Sequence, residues 1–337
     1  MRRSVTMADV AREAGVSRQL VSLVIRDTGY VSPEKRMLVE AAAARLGYRR
    51  NDLAASLASR RTGSIGFAVL DVHNQVYADL VDGVSDVLQP AGYQVLLATG
   101  AYPGEGLSRS IGALVGLRVD GILIASHLND DVGLERLLSG TPAVTMGEGT
   151  RISVVDGVRG NDELGARLAA EHLLAQGYQD IAFIGGPATQ QGEARRVGYR
   201  LAMTSARRPA RESDADATEA GGAKAMRSLL NDGGQPEAVI CYNDSTAIGV
   251  LTCARLENIR IPEDMAVVGY DNTRVAGYPG IDLTSVDPDA RAMGMRAAAL
   301  LLDRIADPDR SSVTEVLTPR LVIRRSSDRP RLPKLTE

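Results

Sequence analysis

From Ile65 onward, short apolar runs alternate with segments of helical periodicity for about 270 residues, and that alternation leaves few architectures open. Strands are predicted at 65–70, 93–98, 121–124, 143–146, 181–184, 238–241 and 266–268, with helical patterns between them such as 80–88, 164–176, 223–230, 246–257 and 290–306. A strand–helix–strand repeat builds a mostly parallel sheet covered on both faces, and this length predicts two such lobes. Apolar residues make up 44% of the 337, ample for the cores required. Ligands of such sheets bind beyond the carboxyl ends of the strands, so the polar residues that follow each strand are the first candidates for binding.

The first sixty residues read differently. Thr6 and Asp9 form a capping-box pattern, and Met7, Val10, Ala11 and Ala14 follow at helical spacing. Gly15 and Val16 make a turn, Ser17 caps a second helix, and Ser32 with Pro33 starts a third that runs to Gly47. The second helix opens with two long polar side chains, Arg18 and Gln19. In a helix-turn-helix unit that opening meets base edges in a major groove: an Arg fork suits guanine and a Gln amide suits adenine. Thr6, Ser17 and Ser22 are placed to grip phosphates. The alternative is a three-helix bundle whose exposed Arg and Gln serve solubility. Charge favours the DNA reading, because residues 1–61 hold 12 Lys and Arg against 6 Asp and Glu while the remainder holds 27 against 36. Next, Asn51 can cap a short helix over 52–58, with Leu53 and Leu57 four residues apart, followed by a basic exit. Such a helix is marginal alone and can fold on DNA with a leucine wedged into the minor groove, or its leucines can pack on the bundle.

These stretches, "VTMADVAREAGVS" and "YVSPEKRMLVEAAAARLGYRRNDLAASL", closely resemble the N-terminal domain of the LacI/GalR family of bacterial transcription regulators. The resemblance continues through "TGSIGF", "RVDGILI", "AAEHLLAQGYQDIAFIGG", "AVICYNDSTAIGVL", "IPEDMAVVGYDN", "LTSVDPD" and "PRLVIRRSS", nearly the whole chain. It implies that Arg18, Gln19 and Leu23 occupy base-reading positions, Leu23 replacing the arginine common there. It places Leu57 at the position of the family's minor-groove wedge. The candidate DNA contacts are therefore Thr6, Ser17, Arg18, Gln19, Ser22, Leu23, Tyr30, Ser32, Asn51 and Leu57. The family core is of the periplasmic-binding-protein type, two lobes joined by crossover strands with effector between them.

Among strand-end residues, Asn243 with Asp244 and Asp271 with Asn272 suit a hydroxyl-rich ligand, since each amide or carboxylate can fix two hydroxyls; helix and loop capping is the alternative for Asn243 and Asp271. Arg195 matches an effector-contacting arginine of the family, with Arg196 as a substitute. Asp71, Asn74 and Tyr77 follow the first strand. Where many relatives carry an aspartate after the fourth strand, this chain has Gly147 and then Glu148, and with no Trp and two Phe an aromatic platform must come from Tyr.

Other chemistries find no pattern. Cys241 and Cys253 and the three scattered histidines lack metal spacing, "FIGGP" lacks a nucleotide-binding fingerprint, and no nucleophile elbow occurs. No apolar run is long enough to span a bilayer, and the start turns polar too early for a signal peptide, so a cytoplasmic protein is expected. Residues 205–221 read as a charged surface loop entering a helix.

The expected organisation is an α/β chain. A helix-turn-helix headpiece occupies 1–50 and a hinge helix with linker 51–61. A core fills 62–337, with an N-lobe over 62–160 and 291–320 and a C-lobe over 161–290 and 321–330. The expected function is that of a non-enzymatic, cofactor-free transcriptional regulator, a repressor that binds an inverted-repeat operator in double-stranded DNA as a homodimer. Its effector is a small molecule, a sugar first. The tail after Ser327 carries no leucine heptad for tetramers. The rivals are a solute-binding protein without a DNA role, which would have no use for the headpiece, and a corepressor-dependent regulator answering to a nucleobase or another metabolite.

Overall fold

The computed structural model describes residues 5–27, 29–48, 61–70, 72–100, 106–125, 131–147, 152 and 154–329. The expected hinge helix, with Asn51 and Leu57, and the candidates Asp71 and Glu148 lie outside them. The chain divides into two compact units, Met1–Thr62 and Gly63–Glu337.

The first unit is built of α1 (Met7–Ala14), α2 (Arg18–Arg26) and α3 (Pro33–Leu46). Thr6 and Asp9 complete a reciprocal capping box, and α1 ends at Gly15, whose left-handed φ of 65° needs a residue without a Cβ penalty. Ser17 caps α2 by accepting from the Leu20 N–H at 3.2 Å. Ser32 stands at the N-cap of α3 but makes no side-chain cap bond; Pro33 behind it lacks an N–H and presets the helical φ. Val10, Ala11, Val21, Val24, Val39 and Ala42 form the small core.

The second unit contains two six-stranded sheets. In the N-lobe, β1 (Ser64–Val69), β2 (Gln94–Thr99), β3 (Gly121–Ala125), β4 (Ala143–Met146) and β5 (Val155–Gly160) are joined by β11 (Thr314–Leu317), in the order β11-β5-β4-β3-β1-β2, all parallel. In the C-lobe, β6 (Ile181–Gly185), β7 (Arg211–Asp214), β8 (Ala238–Cys241), β9 (Ala266–Tyr270) and β10 (Thr284–Asp287) are parallel, and β12 (Arg320–Val322) closes the edge antiparallel to β10. Helices cover both faces of each sheet. In the N-lobe, α4 (Val76–Leu88) and α11 (Ala290–Ala306) lie on one face, α5 (Gly106–Gly116) and α6 (Asp131–Leu138) on the other. In the C-lobe, α7 (Asp162–Ala175) and α8 (Gln190–Ser205) face α9 (Glu219–Gly233) and α10 (Asp244–Leu256) across the sheet. The central strands are buried on both faces, hence their unbroken apolar runs. Helices α4 and α11 cross at Gly83, where a Cβ would fall 2.0 Å from the Arg291 carbonyl oxygen.

The segment 205–221 is not all loop. Arg211–Asp214 forms β7, an edge strand whose charged side chains pair outward instead of entering the core, so no apolar pattern announces it.

Three crossings connect the lobes, after Gly160, after Asp287 and between Leu317 and Arg320. They lie together: the Asn161 N–H donates to the Leu317 carbonyl at 3.0 Å, and a Cβ on Gly160 would sit 3.7 Å from Pro288 Cβ.

Candidate functional sites

On the headpiece the opening of α2 points outward as a base reader requires. Ser17, Arg18 and Gln19 are exposed, Ser22 and Leu23 are half-buried, and Tyr30 in the loop before α3 is 92% exposed. Val21 and Val24 on the opposite side of α2 are buried in the bundle and hold its angle. Thr6 is exposed, yet its hydroxyl donates to Asp9 Oδ2 at 2.7 Å, so a phosphate there competes with a carboxylate for that hydrogen. Ser32 is half-buried.

In the core, Arg195 is the centre of a buried polar cluster at the carboxyl ends of β8 and β9. Helix α8 is started by Thr189, which accepts from the Gly192 N–H at 3.0 Å, and carries Arg195 on its buried side. The Arg195 Nε donates to Asp162 Oδ1 at 2.8 Å and Nη1 donates to the Tyr242 carbonyl at 2.6 Å. Its Nη2 lies 3.8 Å from Asp271 Oδ1, and the guanidinium carbon stands 3.6 Å from the Tyr270 ring centroid and 4.7 Å from that of Tyr242. Burial works against this cation, but Asp162, the two tyrosines and Asp271 outweigh it and hold the proton more firmly than water does. Arg196, the substitute, turns the other way, to Glu212 and to Asp214 at 2.6 Å.

Asp271 is 8% exposed, with a φ of 98°, and Asn272 follows with a φ of 47°. This left-handed pair is held from below. Asp244 Oδ2 accepts from the Thr273 N–H at 2.7 Å and its hydroxyl at 2.8 Å, and Asp244 Oδ1 accepts from the Ser285 hydroxyl at 2.6 Å. Burial is the main cause that pushes the Asp271 carboxyl up to about 7; Arg195 opposes it, Asp244 adds to it, and an Asn74 hydrogen bond lowers it. Asn74 comes from the N-lobe and turns its Oδ1 to the Val76 N–H at 3.1 Å. The expected trio Asn74, Arg195 and Asp271 therefore meets across the two lobes.

Asn243 is a helix cap. Its Oδ1 accepts from the Thr246 N–H and hydroxyl, each at 2.8 Å, and its amide donates to the Ala217 carbonyl at 3.2 Å, the alternative weighed for it. Tyr77 packs against the N-lobe core. Gly147 has a φ of 89°, where an aspartate would be strained, which gives the departure there a backbone reason. Two residues were not singled out from sequence: Asp162, the first residue of α7, and Arg274, which reaches from the C-lobe to Asp82 at 3.2 Å and Asp79 at 3.9 Å on α4. Asp162 follows the β5 crossing directly, and that position was its only signal.

Comparison with known proteins settles the family. The model for bacterial regulatory proteins of the lacI family matches residues 6–51, and that for a periplasmic binding protein-like domain matches 170–327. The chain is 33% identical over 328 residues to the HTH-type transcriptional repressor PurR of Photorhabdus laumondii, covering 95% of this chain and 96% of that one. It belongs to the LacI family. A second relative, the HTH-type transcriptional regulator CelR of Thermobifida fusca, is 34% identical over 342 residues, covering 96% and 99% of the two chains. Among solved structures, a CelR–cellobiose complex superposes with a TM-score of 0.72 at 35% identity, over 96% of this chain and 99% of that one. A lac repressor dimer bound to operator and the anti-inducer ONPF superposes with a TM-score of 0.84 at 28% identity, with the same shares covered. This LacI-family chain is thus a transcriptional regulator with a helix-turn-helix domain and a two-lobed core, not an enzyme. Among the described residues no helix is long and apolar enough to cross a membrane.

Proposed function

We propose that this regulator is a cytoplasmic repressor that binds an inverted-repeat operator as a homodimer and answers to a small molecule, a sugar, held between the lobes of its core. The observation that carries the reading is that the buried Arg195–Asp271 pair stands at the strand ends of the C-lobe on the side where Arg274 of that lobe reaches Asp82 of the N-lobe at 3.2 Å, so a ligand that inserts there changes the relation of the lobes. The donor and acceptor groups around Arg195 and Asp271 suit hydroxyls, and the relative CelR is known with cellobiose bound.

The mechanism is differential binding. An effector that prefers one lobe arrangement shifts the population toward it, and with it the geometry offered to the hinge segment 51–61 and the headpiece 1–50. Leu57 of the hinge acts as the minor-groove wedge, and Arg18, Gln19 and Leu23 read bases, Leu23 by apolar contact with a thymine methyl.

Selection of duplexes from a random library by the full-length protein, at stated salt, tests the reading. An inverted repeat is expected; binding that is weak, salt-sensitive and sequence-blind both alone and with metabolite pools added sinks it. With that duplex in hand, effector affinity must change on operator binding by the same factor as operator affinity changes on effector binding.

A further inference from the structure

Arg195 is a cation already in use. Asp162 holds its Nε, the Tyr242 carbonyl accepts from Nη1, tyrosine rings lie against the guanidinium, and Nη2 lies 3.8 Å from Asp271. Arg195 and Asp162 are 3% and 5% exposed, so solvent does little to screen the pair. Asp162 is the first residue of α7, behind the Asn161 cap, where the helix dipole favours its negative charge. Asp244 stands behind Asp271, and Arg324 acts on it as a second cation while donating to the Leu283 carbonyl and Asn272 Oδ1. Among the described residues, the cluster thus sets Asp162, Asp244 and Asp271 against Arg195 and Arg324.

That balance has a consequence for the ligand. A phosphate or carboxylate reaching for Nη2 meets the Asp271 oxygen beside it and finds no surplus positive charge. A neutral polyol meets a donor and an acceptor side by side, which two adjacent hydroxyls satisfy together. We infer that Asp162 and Asp271 set the charge class of the effector: the cleft takes an uncharged, hydroxyl-bearing molecule and rejects its phosphorylated or carboxylated forms. Asp162 does so as a positioning residue, through Arg195 and not by touching ligand. The inference rests on the proposal that the effector binds in this cleft.

Inorganic phosphate is the probe, titrated calorimetrically at about pH 8, where Asp271 is ionised. The proteins are the full-length wild type, Arg195→Gln, Asp162→Asn, Asp271→Asn and Asp162→Asn combined with Arg195→Gln. The wild type should show no saturable site. Either single carboxylate variant should gain a saturable phosphate site, because removing one carboxylate lowers the repulsion on an anion at Nη2, and the double variant should lose that site. A saturable wild-type site that Arg195→Gln abolishes overturns the inference, as does the absence of a gain in a folded single variant. Should Asp162→Asn fail to fold, Asp271→Asn decides alone. Operator selection with the same wild-type preparation reports separately on the regulator reading, whichever way the phosphate titration falls.

Discussion

Replacing Asp271 by Asn should remove a specific part of the pH dependence of stability. The carboxyl sits at about 7 in the folded protein against an ordinary 3.8, chiefly because it is buried, with Asp244 adding to the rise. A carboxyl raised in this way is protonated in both states below about pH 4 and costs nothing there. As pH climbs, the unfolded chain ionises first, and the folded state loses stability until Asp271 itself ionises near pH 7. At about 1.4 kcal/mol per pH interval, the loss between about pH 5 and pH 8 is roughly 2 to 3 kcal/mol, from a total near 4. Asn cannot ionise, so the stability difference, variant minus wild type, should rise by that amount across the same window. Asp244, pushed up to about 6 by burial, gives a smaller fall of the same sign in both proteins. Urea titrations of both at closely spaced pH values measure the difference. A difference flat in pH would refute the claim that Asp271 is a carboxyl held in a dry, acid-rich site.

Other outcomes follow from particular contacts. Gly83→Ala should lower the urea midpoint, because its Cβ lies 2.0 Å from the Arg291 carbonyl oxygen and forcing α4 from α11 costs about 1–3 kcal/mol, more than the roughly 1 kcal/mol Ala gains in helix propensity; a raised midpoint contradicts this. Thr6→Ala breaks the capping box of α1 at about 1 kcal/mol, to be read as faster hydrogen exchange at Asp9 and Val10 in the full-length chain. Leu57→Ala should weaken operator binding and reduce bending while leaving effector affinity unchanged, and undiminished DNA affinity would end the wedge reading. Cys241 and Cys253 are buried and burial raises both thiols, so a thiol reagent should label neither until the core unfolds.

What could be read from residue order alone depended on how each element is buried. Strands covered on both faces, such as Ile181–Gly185, announce themselves as apolar runs, and their ends fix where a cleft must lie. Edge strands such as Arg211–Asp214 and Arg320–Val322 need no such run and went unseen, and so did the interior strands Val155–Gly160 and Thr284–Asp287, whose runs are broken by buried polar residues such as Asp156, Thr284 and Ser285. The same logic holds for the site. Arg195 was legible through its family motif and Asp271 through its place after β9, but Asp162 acquires its partner only when α7 and α8 pack, which no local pattern encodes. Asn243 satisfied two sequence rules at once, strand-end ligand and helix cap, and hydrogen-bond geometry chooses the cap.

The three crossings between lobes also order events during synthesis. Helix α4 emerges early, but the partner it crosses at Gly83 is α11, and Arg291 of that helix is 205 residues beyond Asp86, to which it donates at 2.6 Å. At about 5–20 residues per second, the N-terminal half waits on the order of 10–40 s with that apolar face unpaired, while the whole run from Asp162 to Asp287 leaves the ribosome. The C-lobe lacks only its short β12 edge by then, so it is the lobe that can assemble first, and the N-lobe, though first in sequence, is completed last. A truncation before residue 290 would therefore strand the lobe nearest the start of the chain, leaving the apolar face of α4 without the helix that covers it.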